Sequence, residues 1–140
     1  MPLRLNPYIV LNGNAREAIA FYQQALDAQV VGIMTLGEMP GADQYVPAEA
    51  KERVMHAHLK VGDADLMFSD TFPGQPYQVG NQVTIALHTS SVEEAQRIFA
   101  ALAEGGRVEV PLQKTDWSPA YGSLVDRFGV PWQINTAAEE

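Results

Sequence analysis

The chain has 140 residues, 46% of them apolar, and contains no cysteine. This length and apolar content suit one compact domain with its own core, and the lack of thiols excludes disulfides, thiolate metal sites and cysteine chemistry. A formal net charge of -8 repels phosphate backbones and anionic lipid, which argues against nucleic-acid binding. The sequence shows neither a membrane-length apolar run nor a signal-peptide pattern, so we expect a cytoplasmic protein that does not enter the membrane.

The first half of the chain predicts one strand, one helix and three more strands. Residues 7–11 form a short β-like run, and the stretch from Asn14 to Glu17 resembles a capping box at a helix start. Apolar residues then recur at helical spacing at Ala15, Ala18, Ile19, Tyr22, Ala25 and Leu26. One helix face must therefore be buried against a sheet. Further β-like runs follow at 29–36, 54–61 and 65–69.

Two segments of the first half have the composition of loops. Residues 37–53 contain glycine, proline and acidic residues and are longer than an ordinary turn, so we expect a mobile lid or edge flap. Residues 70–81 include a Phe-Pro-Gly-Gln-Pro run and connect the two halves. Because each half is too small to bury its own sheet, we interpret this connection as a linker within a single domain 1–140.

The second half repeats the pattern of the first. Val83, Ile85 and Leu87 alternate with more polar residues, and Ser91 to Glu94 again resembles a capping box. A second apolar helical stripe comprises Val92, Ala95, Ile98, Phe99 and Leu102, followed by a Gly-Gly stop. β-like runs lie at 107–112, 122–126 and 131–135. Since Asn14 and Ser91 are 77 positions apart, we predict an α+β fold of two paired βαβββ modules, at about 3–71 and 82–136.

In such a module the helix covers one face of the sheet and leaves the other face for a ligand or a partner. We expect the two modules to form a curved mixed-sheet half-barrel with the helices outside. Alternation along the strands turns Thr84, Gln133 and Asn135 away from the helices, whereas Trp132 belongs to the core. These three polar side chains are candidate ligand contacts, and simple solvation is the alternative for each of them.

Two aromatic residues lie near a loop late in the chain. Trp117 and Tyr121 flank Pro119 and precede Gly122. Aromatic rings in such a place can form the wall of an apolar pocket, with core packing as the alternative. Both are therefore candidate ligand-binding residues.

A pair of histidines is the main alternative site in the first half. His56 and His58 lie two positions apart on a predicted strand, so both point to the same face. With Asp70 they would give a set of two histidines and one carboxylate for a metal ion. Solvent exposure or local hydrogen bonding is the competing interpretation for the histidines, and capping of the turn that follows the strand is the competing interpretation for Asp70.

The order of several motifs carries a resemblance to a known family. These are Pro7-Tyr8, Ala18 to Tyr22, Met55 to Leu59, Phe68 to Asp70, Gly105-Gly106 and Asp126 to Trp132. Together they resemble PhnB-like proteins of the vicinal-oxygen-chelate superfamily, which includes glyoxalases, bleomycin-resistance proteins and extradiol dioxygenases. The resemblance implies a small-molecule site enclosed by paired modules, a homodimer, and in many members a divalent metal ion.

The metal ligands of that superfamily do not carry over to this chain. They are usually His, Gln or Glu on the first and last strands of each module. Here the first-strand positions hold Pro7 and Thr84, the last strand of the first half offers residues 67–69, and only Gln133 remains as a donor. One neutral oxygen will not hold a divalent ion against water. The sequence therefore predicts that the standard metal site is lost and that no cofactor is required, with a divalent metal ion as the alternative.

Three functions fit these observations. The first is a protein that binds or sequesters a small, partly apolar organic molecule, as bleomycin-resistance proteins do, and needs no catalytic group. The second is a metal-dependent lyase, isomerase or dioxygenase, in which a divalent ion polarises adjacent substrate oxygens. The third is an interaction module with a filled cavity. The missing metal ligands favour the first, and the sequence does not identify the ligand.

Overall fold

A computed structural model describes residues 3–137. The strands are β1 (Tyr8–Leu11), β2 (Gln29–Thr35), β3 (Val54–Val61), β4 (Ala64–Asp70), β5 (Ile85–Thr89), β6 (Arg107–Gln113), β7 (Tyr121–Val125) and β8 (Pro131–Thr136). The α-helices are α1 (Ala15–Ala25), α2 (Ala42–Tyr45) and α3 (Val92–Ala103). The chain divides into two compact units between Tyr77 and Gln78.

Each unit contains one mixed, open four-stranded sheet. The strand order is β1-β4-β3-β2 in the first unit and β5-β8-β7-β6 in the second. The pairs β1 with β4 and β5 with β8 are parallel, and the remaining pairs are antiparallel. The predicted βαβββ order is thus confirmed in both halves.

In the first unit, α1 packs on one face of the sheet. Its buried residues include Ile19 and Tyr22, and the ring of Tyr22 stacks on that of Phe68 at 5.6 Å between centroids. Sheet residues on this face are also buried, at Ile9, Leu11, Ala57, Leu59 and Leu66. Burying each large apolar side chain contributes roughly 1.5–3 kcal/mol, so this interface is the main source of the unit's stability.

The start of α1 is capped differently from the sequence expectation. Asn14 occupies the N-cap position, but its side chain makes no capping hydrogen bond, so the predicted capping box is wrong. Asp70 serves this end instead: its Oδ1 accepts from the backbone N–H of Gly13 at 2.6 Å and of Ala15 at 3.0 Å. This is possible because β4 runs parallel to β1 and pairs Asp70 with Leu11, which places the carboxylate beside the helix start.

In the second unit, α3 begins as predicted. The Ser91 hydroxyl oxygen accepts a hydrogen bond from the Glu94 backbone N–H at 3.1 Å, which satisfies one free donor of the first turn. The helix buries Ile98, Phe99 and Leu102. Val83, expected to meet this helix, is 77% exposed, because β5 begins only at Ile85.

The segment expected to be a lid contains ordered structure of its own. Besides α2 it forms two short 3₁₀ turns, at Leu36–Glu38 and Ala48–Ala50. A small cluster of apolar side chains holds these turns together, comprising Leu36, Ala42, Val46 and Ala50 with Met39 and Met55 against it. The segment is therefore a packed excursion between β2 and β3.

A buried carboxylate organises the turn between β7 and β8. Asp126 is 3% exposed, and its Oδ1 accepts from the backbone N–H groups of Phe128 at 2.8 Å and Val130 at 3.1 Å. Its Oδ2 accepts from the indole N–H of Trp132 at 2.8 Å. The motif from Asp126 to Trp132 is thus a side-chain clasp that fixes the entry into β8.

None of the helices within residues 3–137 combines the length and the apolar character required to cross a membrane.

Candidate functional site

The face of the second sheet opposite α3 carries a cavity of about 270 Å³. Strand alternation sends Trp132 and Leu124 toward the core and Gln133, Tyr121 and Ser123 to this face. Polar lining residues include Asn81, Thr84, Glu109, Tyr121, Ser123 and Gln133. The cavity thus lies where the sequence pattern predicts the open face of the second module.

Three of the predicted contact residues form one hydrogen-bonded chain. The phenol of Tyr121 donates to Oε1 of Gln133 at 3.0 Å. The Gln133 amide in turn donates from Nε2 to Oγ1 of Thr84 at 3.2 Å. These bonds connect β7, β8 and the residue preceding β5, so the polar groups have fixed positions relative to one another.

The other two predicted contacts lie beside this chain. The indole of Trp117 meets the ring of Tyr121 edge-on, with centroids 5.5 Å apart and an interplanar angle of 67°, and Trp117 is 66% exposed. Asn135 is paired with Tyr121 between β7 and β8. Its Oδ1 is buried and has no hydrogen-bond partner among the described residues. Of the five predicted residues, Thr84, Tyr121 and Gln133 line the cavity, and Trp117 and Asn135 are neighbours of Tyr121.

Ser118 holds the aromatic loop in place, a role that the sequence did not suggest. It is 3% exposed, and its hydroxyl lies 2.9 and 3.0 Å from the carbonyl oxygens of Ala120 and Thr136, which share its single hydrogen. The same oxygen accepts from the Thr136 backbone N–H at 3.2 Å. The loop bearing Trp117 is thus fastened to the end of β8. A serine after a tryptophan gives no sequence signal for a contact 18 residues away.

The side chains of this cluster do not suit a divalent cation. Gln133 already uses its oxygen and one amide hydrogen within the hydrogen-bonded chain, and Thr84 and Tyr121 contribute only hydroxyl groups. The carboxylate lining the cavity, Glu109, pairs with Arg107 at 3.0 Å. Divalent ions in proteins are held by several imidazole or carboxylate ligands. Across residues 3–137, no three His, Asp or Glu side chains are arranged to hold a metal ion.

The alternative set in the first unit is not brought together. His56 and His58 share the open face of the first sheet, as predicted, but they have different partners: Nδ1 of His56 lies 3.3 Å from the Tyr8 hydroxyl, and His58 bonds to Asp65. Both carboxylate oxygens of Asp70 accept hydrogen bonds from backbone N–H groups, those of Gly13, Ala15 and, at 2.8 Å, Val54. Hydrogen bonds to neighbouring side chains thus account for both histidines. Asp70 bonds to the start of α1 and to Val54, so the alternative that it caps the turn following its strand is wrong.

Asp65 is the centre of a polar cluster on the same open face. It is 9% exposed and accepts hydrogen bonds from Nε2 of His58 at 2.7 Å and Nζ of Lys60 at 3.1 Å, with Arg4 as a further ion-pair partner. The hydrogen bond from His58, followed by that from Lys60, lowers the pKa of Asp65. The histidine is thus tied to a carboxylate that also attracts two permanent cations, an arrangement that disfavours an added metal ion.

The lowered pKa of Asp65 predicts how stability depends on pH. The unfolded chain binds the proton at a higher pH than the folded chain does, so the carboxylate's contribution is complete above about pH 4 and is lost as the pH falls through the folded value. We expect wild type to have a higher Tm than Asp65→Asn at pH 7, and the difference to shrink below pH 4. Thermal unfolding from pH 2.5 to 7 measures this; a constant difference over that range would contradict it.

Comparison with known proteins gives matches over nearly the whole chain. The model of the Glyoxalase/Bleomycin resistance protein/Dioxygenase superfamily matches residues 4–134. Protein YjdN of Escherichia coli (strain K12) is 33% identical over 143 residues, covering 97% of each chain. The crystal structure of protein PA1353 from Pseudomonas aeruginosa has 40% identity and a TM-score of 0.88, covering 99% of this chain and 100% of that one.

A further solved structure is a PhnB protein from Bacillus cereus, described as a putative 3-demethylubiquinone-9 3-methyltransferase. It has 25% identity and a TM-score of 0.79, covering 96% of this chain and all of that one. These matches confirm the resemblance inferred from the motifs. The chain belongs to the glyoxalase/bleomycin resistance protein/dioxygenase superfamily.

Proposed function

We propose that this chain binds a small, partly apolar organic molecule on the open face of the second sheet and does so without a metal ion. Thr84, Gln133 and Asn135 supply the polar contacts, and Trp117 and Tyr121 supply the aromatic wall. The supporting observation is that Thr84, Tyr121 and Gln133 line one cavity as a continuous hydrogen-bonded chain. Trp117 packs against the Tyr121 ring, and Asn135 is paired with Tyr121 between β7 and β8. Sequestration rather than chemistry is the proposed activity.

The exposed indole supports this proposal on energetic grounds. A large aromatic side chain left two-thirds exposed gains stabilisation when a second apolar surface covers it. Asn135 provides a second reason, because an unpaired buried acceptor costs about 1–3 kcal/mol and a ligand donor would offset that cost. Since the oxygen is covered in the free chain, the ligand reaches it only when neighbouring side chains shift.

The domain organisation, the cellular location and the oligomeric state of the protein are proposals as well. We infer that residues 1–140 act as a single glyoxalase/bleomycin-resistance-like domain, in line with the family match over 4–134, and that the protein is a cytoplasmic homodimer. Exposed apolar residues on β2 and β6, such as Val31 and Val108, are compatible with burial in a dimer. Sedimentation at micromolar concentration would reveal the dimer, and a monomer would reject that part.

Binding of a neutral fluorescent probe tests the proposed function. N-phenyl-1-naphthylamine becomes bright in apolar surroundings, and we expect saturable binding to wild-type protein treated with EDTA. Trp117→Ala should weaken binding about tenfold, because it removes one aromatic wall, worth about 1.4 kcal/mol. Phe72→Ala removes an exposed aromatic ring of the first unit and should leave the affinity unchanged.

The probe result separates the candidate functions. Equal weakening by Trp117→Ala and Phe72→Ala would show unspecific adsorption and reject the site. Binding that requires added Zn²⁺, Mn²⁺ or Ni²⁺ and disappears with EDTA would instead support the metal-dependent lyase, isomerase or dioxygenase. Binding that persists in EDTA supports metal-free sequestration.

A further inference from the structure

We infer that the cavity holds its ligand in one orientation and selects neutral aromatic carboxamides or lactams, with the carbonyl oxygen at Thr84 and Gln133 and the N–H group toward Tyr121. This inference rests on the proposed function, because it describes the chemistry of the same cavity. It follows from the direction of the hydrogen-bonded chain, the donors and acceptors that the chain leaves unused, and the charge of the lining.

The hydrogen-bonded chain runs in one direction. Tyr121 gives its hydroxyl hydrogen to Gln133, and Gln133 gives an amide hydrogen to Thr84. A phenol is more acidic than an alkyl hydroxyl and is therefore the better donor, while the threonine oxygen is the better acceptor. The observed direction is thus the favoured one of the two that a glutamine amide permits.

Because of this direction, the Thr84 end of the hydrogen-bonded chain offers free donors and the Tyr121 end offers free acceptors. At one end, Thr84 retains its hydroxyl hydrogen and Gln133 retains its second amide hydrogen, so two donors are free to converge on one ligand oxygen. At the other end, Tyr121 has donated its hydrogen and offers only oxygen lone pairs. The unpartnered Oδ1 of Asn135 lies at this same end, across the β7–β8 pair from Tyr121. A ligand that carries an acceptor and a donor side by side matches this order.

The remaining lining selects a flat, uncharged molecule. Tyr121 lines the cavity and Trp117 packs edge-on against its ring, so the two side chains present aromatic surface that suits a planar ring. The Glu109 carboxylate in the lining is paired with Arg107, and the chain carries a formal net charge of -8. This net negative charge disfavours an anion, so a carboxylate ligand should bind less tightly than the carboxamide of the same shape.

Matched small probes test the orientation. Benzamide, acetophenone and benzoate have nearly the same shape, but only benzamide carries both the carbonyl acceptor and the N–H donor. Titrations followed by backbone ¹H–¹⁵N spectra should show shifts on β7, β8 and the loop of Trp117. We expect benzamide to bind at least fivefold more tightly than acetophenone, and benzoate to bind most weakly.

A variant of nearly the same shape that adds a negative charge tests the role of Gln133. In Gln133→Glu the carboxylate accepts from both Tyr121 and Thr84, so both free donors disappear from that end. Benzamide should then lose about tenfold in affinity, while benzylamine, a cationic donor, should gain affinity. The far-ultraviolet circular dichroism spectrum and the Tm of Gln133→Glu, compared with those of wild type, report whether the variant is folded.

Thr84→Val is the second variant, in case the charge disturbs folding. It removes the free hydroxyl hydrogen and should weaken benzamide without any gain for benzylamine. Equal binding of benzamide and acetophenone, or benzamide binding unaffected by both variants, would overturn the orientation while leaving the proposed function intact if the fluorescent probe still binds. Failure of the fluorescent probe to bind wild type would overturn the proposed function itself.

Discussion

Replacing Asp126 by alanine is expected to lower the free energy of unfolding by about 3–5 kcal/mol. The carboxylate accepts from the backbone N–H groups of Phe128 and Val130 and from the indole of Trp132. Trp132 is 1% exposed, so water cannot replace the lost acceptor at the indole. The turn that delivers β8, and with it Gln133 and the cavity, should loosen as a result.

Urea unfolding followed by the fluorescence of Trp132 measures this effect, in a Trp117→Phe background that removes the second tryptophan. Asp63→Ala, at an exposed position, is the matched control and should change stability by less than about 0.5 kcal/mol. Asp126→Asn should lie between the two, because it keeps one acceptor oxygen but turns an amide toward an N–H donor. A loss below about 1 kcal/mol for Asp126→Ala would show that the clasp has little energetic weight.

Replacing Asp70 by alanine should cost about 2–4 kcal/mol, since three backbone N–H groups lose their acceptor. Two of these donors belong to the start of α1 and the third to the start of β3. The variant should therefore fray the helix before the whole unit unfolds. Amide hydrogen exchange would show this as faster exchange at Ala15 and Val54.

The matched change is Asn14→Ala, which removes the residue at the N-cap position whose side chain makes no capping bond. It should cost much less than Asp70→Ala. Equal losses for the two variants would contradict the assignment of Asp70 as the main cap of the helix.

The order of the elements could be predicted because each element carries its own local pattern. The alternation from Trp132 to Asn135 predicted that Trp132 and Ile134 are buried in the core, whereas Gln133 and Asn135 lie on the opposite face of the strand. The Ser91 cap likewise depends only on residues within one helical turn. Periodicity of two or 3.6 residues is a local property, and a single sequence displays it.

The contacts between distant residues could not be predicted. Asp70 reaches Ala15 across 55 positions, and no local pattern distinguishes that role from capping of the next turn. The shift of 77 positions that relates the two halves does not match the faces of their first strands, β1 and β5. Tyr8 lies on the open face whereas Ile85 pairs with the buried Trp132, so Ala86 is the counterpart of Tyr8. A one-residue difference exchanges the two faces of a strand.

The positions of several candidate residues could be predicted from the sequence, whereas the hydrogen bonds between them could not. Alternation placed Gln133 and Asn135 on one face, and the loop composition drew attention to Trp117 and Tyr121. The hydrogen bonds that join Thr84, Gln133 and Tyr121 needed the structure, because they depend on the neighbours that each strand acquires in the sheet. Ser118, which fastens the loop, carries no sequence pattern at all.

The irregular outer strands have a consequence for how the chain behaves while it folds. β2 and β6 lie at the edges of their sheets, and the pairing register of each slips at two places. Pro111 also removes one backbone donor from β6. A straight, apolar, unpaired strand recruits other chains into aggregates, and bulges and proline prevent such recruitment. Straightening β6 by Pro111→Val would therefore favour inclusion bodies during expression, even if the folded protein tolerated the change.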